Sequence, residues 1–127
     1  MSLTIKILPV DLEWTVKIAL EGSLDTNTSP EFEKKLKSTL PGLDYLILDL
    51  SKLSYISSAG VRALIIANKD MAAHGGKVYV TNLQPQIAKV LETVALLPGL
   101  HVLGSDEEMD KYLTAIQDEV LKKKGKT

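Results

Sequence analysis

Apolar and polar residues alternate twice near the start of the chain. Leu3, Ile5 and Ile7 stand against Thr4 and Lys6, and Trp14, Val16, Ile18 and Leu20 recur at every second position between Glu13 and Glu21. A period of two puts one set of side chains on one face of a strand. The short gap around Pro9 and Asp11 predicts that the two runs form an antiparallel pair. Trp14 falls within the second alternation and is expected to pack inside. Gly22 to Pro30, rich in Gly, Asn, Ser and Pro, reads as a loop. Ser29 is placed to cap a helix opened by Pro30. Glu31 and Glu33 favour its first turn, Phe32, Leu36 and Leu40 form its buried side, and Pro41-Gly42 stops it.

The density of Leu and Ile from Asp44 to Leu50 predicts a strand buried on both faces, as in a parallel sheet covered by helices. Ser51 to Ser57 reads as a polar connection. From Ser58 the apolar positions Val61, Leu64, Ile65 and Ala72 follow helical spacing to about His74, where Gly75-Gly76 ends the run. His74 at that end is accounted for by the favourable placing of an imidazole at a helix C-terminus. Lys77 to Thr81 predicts a strand and Asn82 to Gln84 a loop. Pro85 opens a helix bearing Ile87, Val90, Leu91 and Val94, stopped by Leu97-Pro98-Gly99. Leu100 to Leu103 is a short last strand. Gly104-Ser105 with Asp106, Glu107 and Glu108 opens a final helix whose apolar side is Met109, Tyr112, Leu113, Ile116 and Val120.

The predicted order β-β-α-β-α-β-α-β-α makes this an α/β chain, with a mixed, mostly parallel five-stranded sheet and about four helices. A single domain over residues 1–121 is expected, followed by a solvated basic tail, 122–127.

Composition narrows the function classes. The chain has 127 residues, 45% of them apolar, enough for one packed core. A formal net charge of -1 gives no general attraction to nucleic acid, and none is expected as a direct partner. The absence of cysteine removes disulfides, thiol nucleophiles and thiolate metal sites. No apolar run reaches the roughly 18 residues of a membrane helix, and Met1 to Val10 lacks a signal-peptide core. A cytoplasmic protein without membrane insertion is expected.

The candidate chemistry lies at Ser57 and Ser58, where a helix begins. The first N–H groups of a helix have no partner within it and the helix dipole is positive there, so the terminus takes a serine cap or an anion. On local sequence the two serines either cap the helix or offer a hydroxyl for phosphorylation. Arg62 lies one turn along, near enough to neutralise a phosphate on Ser58, or is simply solvated. Asp49, near the end of its strand, either supports the serine loop or is a polar end to an apolar run.

The segment Leu48-Asp-Leu-Ser-Lys-Leu-Ser-Tyr-Ile-Ser-Ser-Ala-Gly-Val-Arg-Ala-Leu64 resembles the signature of STAS domains, the fold of bacterial anti-sigma factor antagonists. The resemblance extends in pattern over Leu3 to Tyr112. It implies the α/β topology given above and a phosphorylated serine two residues before a glycine, here Ser58 before Gly60. Many members carry an acidic residue where this chain has Ser57, which leaves Ser57 as an alternative site. Gly22-Ser-Leu-Asp-Thr26 is similar to the family's Gly-Glu-Leu-Asp segment. By that resemblance Asp25, with Thr26 beside it, belongs to the surface a partner kinase recognises, and Thr81 and Asn82 lie at its rim; on spacing alone Asp25 reads equally as a loop or capping aspartate.

Other chemistries lack their residues. No nucleophile elbow or P-loop is present, His74 lies too far along its helix to serve Ser58 as a base, and two histidines without cysteine are a poor zinc set. The expectation is therefore a non-enzymatic switch with no cofactor or metal. Unphosphorylated Ser58 would permit binding to a serine-kinase anti-sigma factor, and a PP2C-type phosphatase would reset the phosphorylated form. The alternative is a STAS binding or scaffold subunit of a lipid-transport or stress-signalling complex, with both serines as caps. A small nucleotide-binding α/β domain is a third.

Overall fold

The fold is that of a computed structural model, which describes residues 2–8, 10, 12–92, 100–103 and 111. Strand β1 (Leu3–Leu8) pairs antiparallel with β2 (Thr15–Leu24), and β2, β3 (Tyr45–Ile56), β4 (Lys77–Thr81) and β5 (Leu100–Leu103) run parallel. The sheet order is β1-β2-β3-β4-β5. Helices α1 (Ser29–Thr39), α2 (Ser58–Ala72) and α3 (Pro85–Leu91) connect the parallel strands. The α/β class, the antiparallel first pair and the parallel remainder are as the pattern predicts. The expected stop at Leu97-Pro98-Gly99, the final helix and the basic tail lie outside the described residues.

Each parallel connection steps one strand in the same direction. Right-handed crossovers then put successive helices on one face, and α1 and α2 do touch. Beneath them Ile18, Leu20, Phe32, Leu46, Leu48, Leu64 and Met71 form the centre of the core. Leu46, Ile47 and Leu48 are consecutive and all fully buried, so β3 is covered on both faces. No described helix is long and apolar enough to cross a membrane.

Several local expectations are corrected. Trp14 is not part of the strand: it is 64% exposed, with φ 57°. Its carbonyl accepts the N–H groups of both Asp44 and Tyr45, and this pins the turn ahead of β2 in a left-handed conformation. A bulky side chain is disfavoured there. Trp14→Asn, which tolerates that φ, is expected to raise stability by about 0.5–1 kcal/mol in urea unfolding. A lower midpoint would mean that the indole packs usefully after all.

Gly22 to Leu24 extends β2 instead of opening a loop, with Gly22 paired to Leu53, Ser23 to Tyr55 and Leu24 to Ile56. Gly22 sits at φ 103° beside an irregularity in the β2–β3 register, and a Cβ there would collide with the carbonyl oxygen of Ser2. It marks a bulge. β3 likewise continues through Ile56, well past the expected end at Leu50. The N-cap residue of α1 is Thr28 and not Ser29, which is the buried first helical residue. The side chain of Thr28 makes no cap bond; it donates to the Ser23 carbonyl instead, at 2.8 Å.

The inner face of α2 is Gly60, Ala63, Leu64, Ala67, Asn68 and Met71, with Val61 and Ile65 at its flanks and Ala72 exposed. Reading large residues alone misplaced this face, because small ones (Ala63, Ala67) make its close contacts. α2 ends at Ala72, and Nε2 of His74 then donates to the Leu43 carbonyl at 2.7 Å, tying the end of α2 to the approach to β3.

Candidate functional site

The β3–β4 pairing ends at Asp49 and Thr81, but β3 runs seven residues further, with β2 alongside as far as Ile56. The serine turn therefore projects past the end of β4, at the C-terminal side of the parallel strands, where binding sites of α/β sheets gather. Ser57 is extended (φ −95°, ψ 176°) and fully engaged. Its Oγ accepts the Gly60 N–H at 3.4 Å, its N–H donates to the Leu24 carbonyl at 2.9 Å, and its carbonyl accepts the Val61 N–H at 2.9 Å. Ser57 is the helix cap. Ser58 is the first helical residue; it is exposed, and its hydroxyl has no hydrogen-bond partner among the described residues. The first turn of α2 carries no acidic residue, so its dipole is uncompensated there.

Gly60 explains how the turn is held. A Cβ on it would lie 2.6 Å from the Leu24 carbonyl oxygen and 2.8 Å from Cγ1 of Ile56. The end of β2 thus packs directly on the first turn of α2, which brings the segment after Leu24 to the serine turn. There Asp25 folds a tight loop. Its Oδ1 accepts from the N–H of Thr28 at 3.0 Å, the N–H of Asn27 at 2.9 Å and the Thr28 hydroxyl at 3.3 Å. These bonds, the Thr28 N–H foremost, hold its carboxyl below the usual aspartate range. With its Oδ1 committed to that loop, Asp25 shapes the surface, while Thr26 and Asn27 are exposed on it.

Asp49, Thr81 and Asn82 form a second group, away from the serines. Asp49 lies eight residues before Ser57 and does not support the serine turn; its Oδ1 accepts the Ser51 N–H at 3.0 Å and the Asn82 side-chain amide at 3.4 Å. Desolvation raises the Asp49 carboxyl, but these hydrogen bonds outweigh it and leave the pKa below its ordinary value. Asn82 takes φ 59° at the exit of β4. Thr81, expected at a rim, is fully buried, and its Oγ1 has no hydrogen-bond partner among the described residues. Sequence reasoning missed the two glutamines that fasten this region. Gln84 donates to the Ser51 carbonyl at 2.9 Å and Gln86 to that of Ser54 at 3.3 Å. It also missed Tyr55, 47% exposed next to the turn. Neither had a local signal, because both depend on β3 continuing past Leu50.

Arg62 is exposed one turn along from Ser58 and makes no ion pair among the described residues. Neither histidine stands by the serine turn in a way that makes a base: His74 bonds Leu43 at the far end of α2, and His101 stacks on Tyr79 with ring centroids 5.0 Å apart. Among the described residues no group of three or more His, Asp or Glu could hold a metal.

The exposed serine on a capped helix start, reached through an extended strand and backed by a close-packed glycine, is matched over most of the chain by one family. The STAS domain model fits residues 9–109. This chain belongs to the STAS domain family. BtrV of Bordetella bronchiseptica, named as an anti-sigma factor antagonist, is 29% identical over 89 residues, 69% of this chain and 77% of BtrV. Among solved structures, an anti-sigma factor antagonist from Mycobacterium paratuberculosis shares the fold at TM-score 0.70 and 21% identity, over 91% of this chain and 95% of that one. Unphosphorylated SpoIIAA of Bacillus does so at TM-score 0.69 and 21% identity, over 87% and 98%. In this STAS domain the sheet, α1 and α2 support one exposed turn.

Proposed function

We propose that this STAS domain is an anti-sigma factor antagonist switched by phosphorylation of Ser58. The observation that carries the reading is the division of labour between the two serines. Ser57 is spent on the cap, while Ser58 is exposed with its hydroxyl unengaged among the described residues. The names of the relatives agree with it, and SpoIIAA has been solved in both unphosphorylated and phosphorylated forms. Unphosphorylated, the surface of Thr26, Asn27, Ser58 and Arg62 binds a serine-kinase anti-sigma factor. That partner holds ATP and transfers its γ-phosphoryl group to Ser58 Oγ; the hydroxyl proton is lost and ADP leaves. The product carries nearly two added negative charges at one exposed point, and these repel or displace the partner. A PP2C-type phosphatase then hydrolyses the ester to serine and inorganic phosphate. The domain is a substrate and a ligand in this cycle and supplies no catalytic group.

The test is incubation with the serine-kinase anti-sigma factor and ATP, with the modified residue located by mass spectrometry. Label is expected on Ser58 in the wild type and in Ser57→Ala, whose lost cap costs about 1 kcal/mol of stability. None is expected in Ser58→Ala. Stoichiometric label in Ser58→Ala, or label on Ser57, overturns the assignment.

A further inference from the structure

We infer that Arg62 is a shared counter-charge: it pairs with a carboxylate of the anti-sigma partner while Ser58 is unphosphorylated, and with the phosphate of Ser58 afterwards. The inference rests on the function proposed above and concerns how the same surface is regulated. Ser58 and Arg62 are four residues apart on α2. Such a pair shares one face of a helix, with Cβ atoms about 5–6 Å apart. Helical side chains lean toward the N-terminus, which brings the turn that Ser58 begins within reach of the Arg62 guanidinium. Both residues are exposed, and Arg62 has no ion pair among the described residues.

The charges around it make the vacancy consequential. The first turn of α2 has no acid, so Arg62 adds positive charge to the half of the helix where a cation is least favoured. Lys69, in the last turn, is where a cation belongs. A binding partner that offers Arg62 a carboxylate relieves this, and the planar guanidinium can take that carboxylate through two parallel hydrogen bonds. A phosphate on Ser58 competes for the same fork from within the chain, at a high effective concentration. Phosphorylation then acts twice: it adds charge and bulk, and it removes the partner's counter-ion.

A double-mutant cycle separates these contributions. Affinity for the serine-kinase anti-sigma factor is measured by calorimetry for the wild type and Arg62→Gln, each with serine or with phosphoserine incorporated at position 58. Lys69→Gln, an equal loss of charge further along α2, is the control. Arg62→Gln is expected to weaken the unphosphorylated form about 10-fold and Lys69→Gln by less than 2-fold. Phosphorylation is expected to cost Arg62→Gln several-fold less affinity than it costs the wild type. Additive effects would overturn the sharing of Arg62. If the unphosphorylated wild type binds no such partner, the proposed function itself falls. A partner-free readout is the 31P titration midpoint of phosphoserine 58, expected to rise by about 0.3–0.5 pH units in Arg62→Gln and not in Lys69→Gln. An unchanged midpoint also overturns the inference.

Discussion

Ser58→Glu is expected to weaken binding to the anti-sigma partner by about 100-fold or more while the fold is kept. A carboxylate in the first turn of α2 meets an uncompensated helix dipole, so the isolated domain should lose no stability and gain up to about 1 kcal/mol. The cost falls on the complex. There the new carboxylate competes for Arg62 and leaves a carboxylate of the partner buried and unpaired, which costs about 2–5 kcal/mol, roughly 30-fold to several thousand-fold in affinity. Calorimetric titration of the partner, with a thermal melt of the free variant, distinguishes the two effects. A variant that melts like the wild type and binds like it would place the docking surface elsewhere on the domain.

Gly60→Ala is expected to destabilise the domain by about 2–3 kcal/mol and to slow labelling of Ser58. In an ordinary helix the same change stabilises by up to about 1 kcal/mol. Here the new methyl would lie 2.6 Å from the Leu24 carbonyl oxygen, a backbone atom that cannot swing aside. Overpacking of this kind costs about 1–3 kcal/mol, and the backbone contact puts this case at the upper end. The same carbonyl accepts the Ser57 N–H, so any shift that relieves the clash also moves the serine turn. Urea unfolding measures the first effect and the rate of kinase labelling the second. A more stable Gly60→Ala protein would show that the first turn of α2 has room to spare.

Much of the sheet was legible because periodicity reports burial directly. The alternation at Leu3 and Ile5 and the apolar density of Leu46 to Leu50 needed no knowledge of their neighbours, whereas Ile7, expected on the same face, is 49% exposed at the end of β1. Boundaries failed where a neighbour decides. Ser51 to Ile56 looks like a connection, yet Leu53 and Ile56 are buried and Ser54 Oγ donates to the Gly22 carbonyl, because β2 extends beside it. Gly22 looks like loop punctuation, yet it lets a bulged strand pass close to Ser2. Trp14 fits an alternation that the turn before β2 interrupts, and no composition rule marks the carbonyl that Asp44 and Tyr45 require.

At the candidate site, the sequence alone determined that two hydroxyls open a helix after a buried strand, and that a basic residue follows one turn later. Which serine caps and which is exposed was settled only by the tertiary structure. The reason is that capping depends on one backbone angle and one neighbouring carbonyl. Leu24, thirty-three residues upstream of Ser57, holds the Ser57 N–H and leaves its side chain aimed at Gly60. Ser58 is then turned to solvent. Periodicity reads which face of an element is apolar; it carries no information about where a distant carbonyl will stand.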